Sequence, residues 1–96
     1  MYILITYDVN TETKPGKKRL RQVAKVCVDY GQRVQNSVFE CSIEPALFCT
    51  VKDKLLNIID VNTDSLRFYY LGNNYKSKIE HYGAKSTYFP DDTMIF

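Results

Sequence analysis

The opening segment Tyr2–Asp8 constrains this chain most, because it has the composition of a buried β-strand and an amphipathic helix follows it. The segment is rich in β-branched and aromatic residues and runs into a polar loop at Asn10. Between Lys17 and Tyr30, apolar residues recur at the three- and four-residue spacing of one helical face, and Gly31 ends the helix. The members of this apolar face are Leu20, Val23, Ala24, Cys27 and Val28.

The rest of the chain repeats this alternation of strand and helix. Arg33–Ile43 has the composition of a strand, and Asn36-Ser37 is placed either to form a two-residue hairpin turn or to bend one longer strand. Glu44-Pro45 opens a second helix that ends near Asp60, since proline suits the first helical position. The apolar stripe of this helix is Leu47, Val51, Leu55 and Ile58. Further strands are predicted at Ser65–Leu71 and Ser77–Tyr82, with a turn at Gly72-Asn73-Asn74 between them.

This order of elements predicts an α+β fold. The architecture is a ferredoxin-like βαββαβ sandwich with both helices on one face of an antiparallel sheet and an extra C-terminal strand. The length of 96 residues fits one domain covering residues 1–96. Residues 90–96 end in the apolar run Met94-Ile95-Phe96, so we expect this tail to pair with a sheet edge of the same chain or of a partner.

Cysteine usage and the opening residues bear on the cellular compartment. The three cysteines Cys27, Cys41 and Cys49 include no Cys-x-x-Cys pair, which favours reduced thiols over a disulfide framework or a zinc knuckle. The apolar opening segment has no basic residues before it and is interrupted by charge too soon for a signal peptide or a membrane helix. We therefore expect a cytoplasmic protein with no membrane partner.

Positive charge is concentrated in the first part of the chain. Residues 1–39 hold seven basic and three acidic side chains, whereas residues 40–96 hold six and eight. Four basic residues are spaced to form a ridge on the first helix, namely Lys14, Lys18, Arg21 and Lys25. Lys17 and Arg19 flank this ridge, and Arg33 follows the helix. No acidic residue lies among the first six, so the ridge is either a solvated helix face or a phosphate-binding surface.

Asp8 stands at the predicted C-terminal end of the first strand, with the oxygen-bearing side chains of Asn10 and Glu12 close by. Two interpretations stay open: Asp8 caps the following turn, or it is a ligand for Mg²⁺ or Ca²⁺. A single carboxylate is a poor metal site, but a homodimer with its first strands near the axis would bring two Asp8 side chains together. A phosphate of a nucleic acid could then complete the metal's coordination shell, and the metal would activate a water.

Other kinds of chemistry find little support in the sequence. It contains no glycine-rich phosphate loop, and its only histidine, His81, is interpreted as structural. Phe68-Tyr69-Tyr70 could stack bases as an RNA-recognition strand does, but core packing and cross-strand pairing explain these rings more simply.

Several segments, taken together, are similar to one known family. They are Tyr2 to Val9 with Tyr7-Asp8, Arg19-x-Arg21, Gly31 to Glu40, Asp64 to Gly72, and Glu80 to Lys85. These segments span nearly the whole chain, and the Gln-x-Ser-Val-Phe-Glu block ending at Glu40 is the most specific of them. The chain resembles the Cas-two family, the small subunit of the CRISPR adaptation machinery, in its subtype I-C branch.

The resemblance implies a ferredoxin-like homodimer that sits between copies of the CRISPR integrase subunit and helps to hold the double-stranded DNA to be inserted. Several relatives also cut RNA or duplex DNA with a divalent metal, Mg²⁺ with Mn²⁺ as a substitute. Carried over to this chain, the catalytic and metal-binding residue is Asp8. The further positions that the resemblance implicates are Arg19, Arg21 and Arg33 for nucleic-acid binding, and Tyr7, Ser37 and Phe39 as supporting residues.

Three functional hypotheses follow. The first is a metal-dependent endonuclease acting on duplex DNA or RNA, in which paired Asp8 carboxylates hold the metal. The second is a non-catalytic adaptor whose basic residues follow the DNA backbone. The third is a single-strand RNA-binding module that uses Phe68-Tyr69-Tyr70.

Overall fold

A computed structural model describes residues 1–71 and 78–84 of the chain. Within these residues the chain forms five strands and two helices in the order strand, helix, two strands, helix, two strands. The strands are β1 (Tyr2–Asp8), β2 (Gln32–Gln35), β3 (Val38–Ser42), β4 (Ser65–Leu71) and β5 (Lys78–Gly83). The helices are α1 (Lys14–Tyr30) and α2 (Pro45–Ile58).

The strands form one antiparallel sheet in the order β2-β3-β1-β4-β5. The first four strands have the ferredoxin-like order, and β5 adds a further strand beside β4, so the predicted fold class is confirmed. The predicted turn at residues 72–74 and the tail at residues 90–96 lie outside the described residues.

The core lies between one face of the sheet and the two helices. Alternate residues of β1, namely Ile3, Ile5 and Tyr7, are buried, as the period of two requires for a strand covered on one face. They share a single apolar cluster with Val23 and Cys27 of α1, and with the α2 residues Phe48, Val51 and Leu55. No helix of residues 1–71 and 78–84 packs against the opposite face of the sheet, which we call the uncovered face and which carries the other set of alternating residues.

Two predicted core positions were wrong, and in each case a neighbouring apolar residue is the buried one. Val28 is 53% exposed, whereas Cys27 beside it is fully buried. Leu47 is 40% exposed, and Phe48 takes the place predicted for it. Successive residues of a helix are about 100° apart around the axis, so only one of two neighbouring apolar residues can face the sheet directly.

Asn36 and Ser37 form a hairpin turn between β2 and β3, which settles the alternative left open by the sequence. The hairpin is irregular because the register shifts between Arg33 and Gln35, leaving an extra residue on β2. The irregularity lies next to the turn.

Helix α1 begins at Lys14, three residues before the predicted start. The Thr13 side chain caps it by accepting a hydrogen bond from the Gly16 amide at 3.1 Å. At the other end the Gly31 amide donates to the Cys27 carbonyl at 2.8 Å. The backbone of Gly31 is extended, a conformation open to any residue, so it is close packing that requires glycine there. An added Cβ would lie 2.5 Å from the Glu40 carbonyl oxygen.

All three cysteines are free thiols, as predicted, and Cys27 and Cys41 are buried. Burial raises the pKa of Cys27 to about 12, so this thiol stays neutral at physiological pH. In the described part of the chain, no helix is both long and apolar enough to cross a membrane.

Candidate metal site and nucleic-acid interface

Asp8 is the last residue of β1, pairs with Ser65 of β4 and is exposed. Because Ile3, Ile5 and Tyr7 face the helices, Asp8 belongs to the uncovered face. It lies in a shallow cleft of about 240 Å³, which we call the Asp8 cleft. The cleft is lined by Thr6, Tyr7, Asp8, Ser65, Leu66 and Arg67.

The Asp8 cleft offers only part of a metal site. The Asp8 carboxylate and the hydroxyl-bearing Thr6 and Ser65 supply oxygen atoms of the hard type that Mg²⁺ prefers. Within residues 1–71 and 78–84, however, no three acidic, histidine or cysteine side chains lie close enough together to hold a metal ion. Mg²⁺ commonly takes one or two carboxylates together with water and phosphate oxygens. The residues of the Asp8 cleft therefore fit Mg²⁺ only where further oxygen ligands come from outside the described part of the chain.

A second cleft, of about 340 Å³, lies where α1 meets the β2–β3 hairpin, and we call it the Arg33 cleft. It brings together four residues singled out in the sequence: Tyr7, Arg21, Arg33 and Ser37. The Tyr7 amide donates to the Ser37 carbonyl at 3.2 Å, which fixes the hairpin turn against the end of β1. Two guanidinium groups on one cleft form a surface suited to binding phosphate.

Aromatic packing positions Arg33. Its guanidinium carbon lies 5.0 Å from the centroid of the Phe39 ring, and its Nη1 donates to the Asn36 carbonyl at 3.5 Å. Phe39 is fully buried and stacks with Tyr7 at a centroid distance of 6.0 Å. The Phe39 ring therefore packs against the Arg33 guanidinium from the core side and is buried too deeply to contact a ligand itself.

The Tyr7 hydroxyl donates to the Asn36 carbonyl at 3.4 Å. Burial raises the pKa of Tyr7, with a smaller contribution from Cys27, so its hydroxyl is neutral at physiological pH. In this state Tyr7 is a hydrogen-bond donor at the edge of the Arg33 cleft.

The basic residues of α1 differ in how exposed and how paired they are. Four of them are exposed on the outer surface of the helix and define what we call the basic face: Lys14, Lys17, Lys18 and Arg21. Lys25 is also exposed, but its Nζ lies 3.2 Å from a carboxylate oxygen of Asp29, one turn further along the helix. An exposed pair of this kind is weak and leaves Lys25 able to exchange partners.

Arg19, one of the predicted nucleic-acid-binding residues, pairs with an acidic residue that lies outside the helix. The Arg19 Nε donates to Asp64 Oδ2 at 2.8 Å, and the Arg19 side chain is only 19% exposed. Asp64 precedes β4 and is distant in sequence, so inspection of the helix alone could not reveal this pair. Arg19 thus fastens α1 to the loop before β4.

Asp64 is fully buried and accepts several hydrogen bonds. The backbone amides of Asn10 and Asp60 donate to it, each at 2.9 Å, and the Thr63 hydroxyl donates at 3.2 Å. Burial opposes ionisation of Asp64, but the bonds from Arg19 and the two amides outweigh it and hold the pKa of Asp64 below its usual value. The Asp64 carboxylate therefore links the loop after β1, which contains Asn10, to the loop before β4, which contains Asp60.

A second ion pair holds β5 against α2. The Lys52 Nζ lies 2.7 Å from Glu80 Oε1, which also accepts hydrogen bonds from the Tyr70 hydroxyl at 3.0 Å and the Tyr82 hydroxyl at 3.3 Å. The Lys52 hydrogen bond lowers the pKa of Glu80, while burial raises the pKa of Tyr70 to about 12. The cluster was not foreseen from sequence, because its members come from three different elements.

The aromatic run of β4 is not a base-stacking surface. Phe68 is fully buried, and Tyr69 is only 7% exposed. The Phe68 and Tyr70 rings both pack edge-on against Phe48 of α2. The hypothesis of an RNA-binding module built on these rings is therefore not supported by their burial.

The strand order and the two helices on one face define a ferredoxin-like α+β domain, here with an exposed strand-end aspartate and a basic helix. The family model described as CRISPR associated protein Cas2 matches residues 1–79. The chain therefore belongs to the CRISPR-associated Cas2 family, as its sequence segments had indicated.

Similar proteins cover the whole length of the chain. The "CRISPR-associated endoribonuclease Cas2" of Chlorobaculum tepidum is 54% identical over 95 residues, which is 99% of each chain. The "CRISPR-associated endonuclease Cas2" of Halalkalibacterium halodurans is 55% identical over 96 residues, which is 100% of each chain. The crystal structure of Streptococcus pyogenes Cas2 at pH 6.5 has a TM-score of 0.70 and 68% identity, covering 78% of this chain and 90% of that one.

Proposed function

We propose that this protein is a homodimeric subunit of CRISPR adaptation that binds double-stranded DNA, bridges the CRISPR integrase and cuts nucleic acid with Mg²⁺ at Asp8. The observation that carries the nuclease activity is the exposed Asp8 carboxylate at the end of a central strand, in a cleft that meets the solvent. The names of the two curated relatives support it, since one is called an endoribonuclease and the other an endonuclease.

In this proposal the residues of the two clefts have different roles. Asp8 from each of two copies would hold Mg²⁺, or Mn²⁺ in its place, and the ion when bound would supply a nucleophilic water at neutral pH. Arg21 and Arg33 bind phosphates of the nucleic acid through the Arg33 cleft. The Tyr7 hydroxyl donates to the Asn36 carbonyl and so holds the hairpin turn beside the same cleft.

One observation favours the adaptor role as the physiological one. The Asp8 cleft is on the uncovered face of the sheet, whereas the basic face belongs to α1, which covers the other side. Duplex DNA can therefore be held by the lysines of α1 independently of chemistry at Asp8. We infer that spacer acquisition continues when Asp8 is replaced by asparagine.

The nuclease is tested by incubating purified protein with linear duplex DNA and with single-stranded RNA, with Mg²⁺, with Mn²⁺ and with a chelator. We expect cutting by the wild type that needs metal and falls about 10²-fold or more in Asp8→Asn, because the metal contributes several kcal/mol to stabilising the transition state. Asp53→Asn is the matched control, since it removes an exposed carboxylate on α2.

Both duplex DNA and single-stranded RNA are needed as substrates, because the proposed chemistry at Asp8 is the same for either. Comparing their cleavage decides which of them is cut. Equal cutting by wild type and Asp8→Asn would assign the activity to another site or to a contaminant. If neither protein cuts either substrate while the wild type still binds DNA, the adaptor role alone stands.

A further inference from the structure

We propose that Arg67 is a further phosphate-binding residue, acting in the Asp8 cleft and held in place by Tyr69 and His81. Arg67 is an interior residue of β4 among aromatic neighbours, where sequence alone indicates no more than a strand position. The inference rests on the proposed function, because it supplies the nucleic-acid contact that the Asp8 cleft needs.

Strand register places Arg67 beside Asp8. Asp8 pairs with Ser65, and Thr6 pairs with Arg67, so Asp8 and Arg67 lie diagonally across two neighbouring strands. Because Asp8 and Thr6 are two residues apart on β1, all four residues share the uncovered face. Asp8 and Arg67 both line the same cleft.

Two side chains fix the orientation of the Arg67 guanidinium. Its Nε donates to Nδ1 of His81 at 3.3 Å, and its Nη1 lies 3.2 Å from the Tyr69 hydroxyl, to which it donates. His81 is the cross-strand partner of Arg67 on β5, and Tyr69 is nearly buried. A half-buried arginine held from two sides loses little rotamer freedom when it binds a ligand.

The pair of charges in this cleft suits a phosphodiester. A carboxylate is the group that takes a divalent cation, and a guanidinium is the group that binds phosphate oxygens through its planar fork. During hydrolysis negative charge grows on the phosphoryl oxygens, and a fixed cation close by stabilises it. Arg67 would therefore contact the phosphate next to the one that Asp8 acts on, or that same phosphate.

The test measures binding without metal, so that it does not depend on cleavage. Fluorescence anisotropy with a labelled DNA duplex and with an RNA of matching sequence is recorded in chelator over a range of salt concentrations, for the wild type, Arg67→Met and Arg67→Lys. We expect Arg67→Met to weaken affinity about tenfold and to reduce the slope of log affinity against log salt by about one. Arg67→Lys should keep the slope but lose part of the affinity, since lysine retains the charge without the fork.

Controls separate a phosphate contact from other roles. Lys54→Met removes one charge from an exposed lysine of α2 and should leave affinity close to that of the wild type. Tyr69→Phe retains the ring and removes only the hydroxyl that holds Arg67, so it should weaken binding less than Arg67→Met does. Circular dichroism and light scattering on the same samples report folding and oligomeric state.

Each pattern of results decides between the proposals. Unchanged affinity and slope in Arg67→Met would overturn the role of Arg67, and so would loss of the dimer in that variant, which would make Arg67 an intersubunit contact. If Asp8→Asn abolishes cutting while both Arg67 variants bind and cut like the wild type, the Arg67 inference alone fails. If the wild type does not cut but Arg67→Met and Arg67→Lys weaken binding as expected, the nuclease proposal fails and Arg67 keeps its role.

Discussion

At the scale of single residues, Asp8 and Asp64 show how one side chain takes opposite roles in two environments. Asp8 is exposed at the end of β1 and lines the Asp8 cleft. Asp64 is fully buried, and its oxygens accept hydrogen bonds from Arg19 and from two backbone amides. Replacing Asp8 should therefore affect chemistry, whereas replacing Asp64 should affect stability.

We expect Asp64→Asn to destabilise the fold by about 2 kcal/mol or more, because hydrogen bonds to a charged group contribute about 1.5 to 3 kcal/mol. For a domain of this size that decrease lowers the midpoint of thermal unfolding by about 10 °C. Thermal unfolding followed by circular dichroism measures it, with Asp53→Asn as the exposed control. Equal midpoints for the two variants would show that the Asp64 network contributes little.

The difference in stability between the wild type and Asp64→Asn should depend on pH, and the pKa of Asp64 gives the sign of that dependence. The pKa of Asp64 is lower in the folded protein than in the unfolded chain. Its contribution to stability is therefore complete above the unfolded-state pKa of about 4 and is lost as the pH falls through the lower folded-state value. The difference in stability between wild type and Asp64→Asn should be full at pH 7 and should shrink below about pH 4.

The sequence predicted the position of Asp8 but not the partner of Arg19. Asp8 ends a strongly patterned strand, so its location follows from local sequence. The Arg19–Asp64 pair joins two elements that are distant in sequence, and charge spacing within one helix carries no information about it. The same limit applies to Arg67, whose neighbours Asp8 and His81 come from other strands.

At the scale of elements, α1 has two faces with separate roles. Val23 and Cys27 on its inner face are fully buried in the core. The basic face on its outer side exposes Lys14, Lys17, Lys18 and Arg21. A substitution on the outer face can therefore change binding without disturbing the packing of the helix.

We expect Lys18→Glu to weaken binding to duplex DNA and the double variant Lys18→Glu/Arg21→Glu to weaken it further, because each substitution puts a negative charge where the proposed function has a positive charge beside the DNA backbone. Removing one such charge should reduce the slope of log affinity against log salt by about one. Titrations at several salt concentrations measure both quantities. Lys54→Glu makes the same charge change on α2, and an equal effect there would show that overall charge matters rather than the basic face.

The elements themselves were predicted unequally well. β1 and β4 have the predicted bounds, because apolar and aromatic residues predominate in each of them. The start of α1 was placed too late, since the Thr13 cap and a proline in the first turn extend it. On α2, Val51 and Leu55 are buried as predicted, but Leu47 was misassigned, because Leu47 and Phe48 are both apolar and only tertiary packing chooses between them.

At the scale of the whole molecule, the uncovered face is the surface on which the proposed homodimer would form. It contains an apolar groove of about 380 Å³ lined by Leu4, Thr6, Val34, Gln35, Val38 and Tyr69. Val34 is 50% exposed at its rim. Asp8 lies on the same face, so a homodimer formed there would suit the shared metal site that one chain cannot supply from its described residues.

We expect light scattering to give a mass of twice the 11.2 kDa of the chain, and Val34→Lys to shift the equilibrium toward the monomer by placing a charge in the apolar groove. Val61→Lys is the matched control, because Val61 is 55% exposed but lies in the loop after α2. A monomeric wild type at micromolar concentration would contradict the shared site. Dissociation by both variants would show that the effect is not specific to the groove.

The position of β1 at the centre of the sheet also sets the order in which this molecule becomes functional. β1 is made first, yet its neighbours β3 and β4 leave the ribosome later, and β4 contributes Ser65 and Arg67 to the Asp8 cleft. Such long-range pairing forms late in folding, after the chain has closed on itself. A nascent chain therefore carries Asp8 long before it has a site around it, and a truncated product that ends before β4 would be inert toward nucleic acid at that cleft.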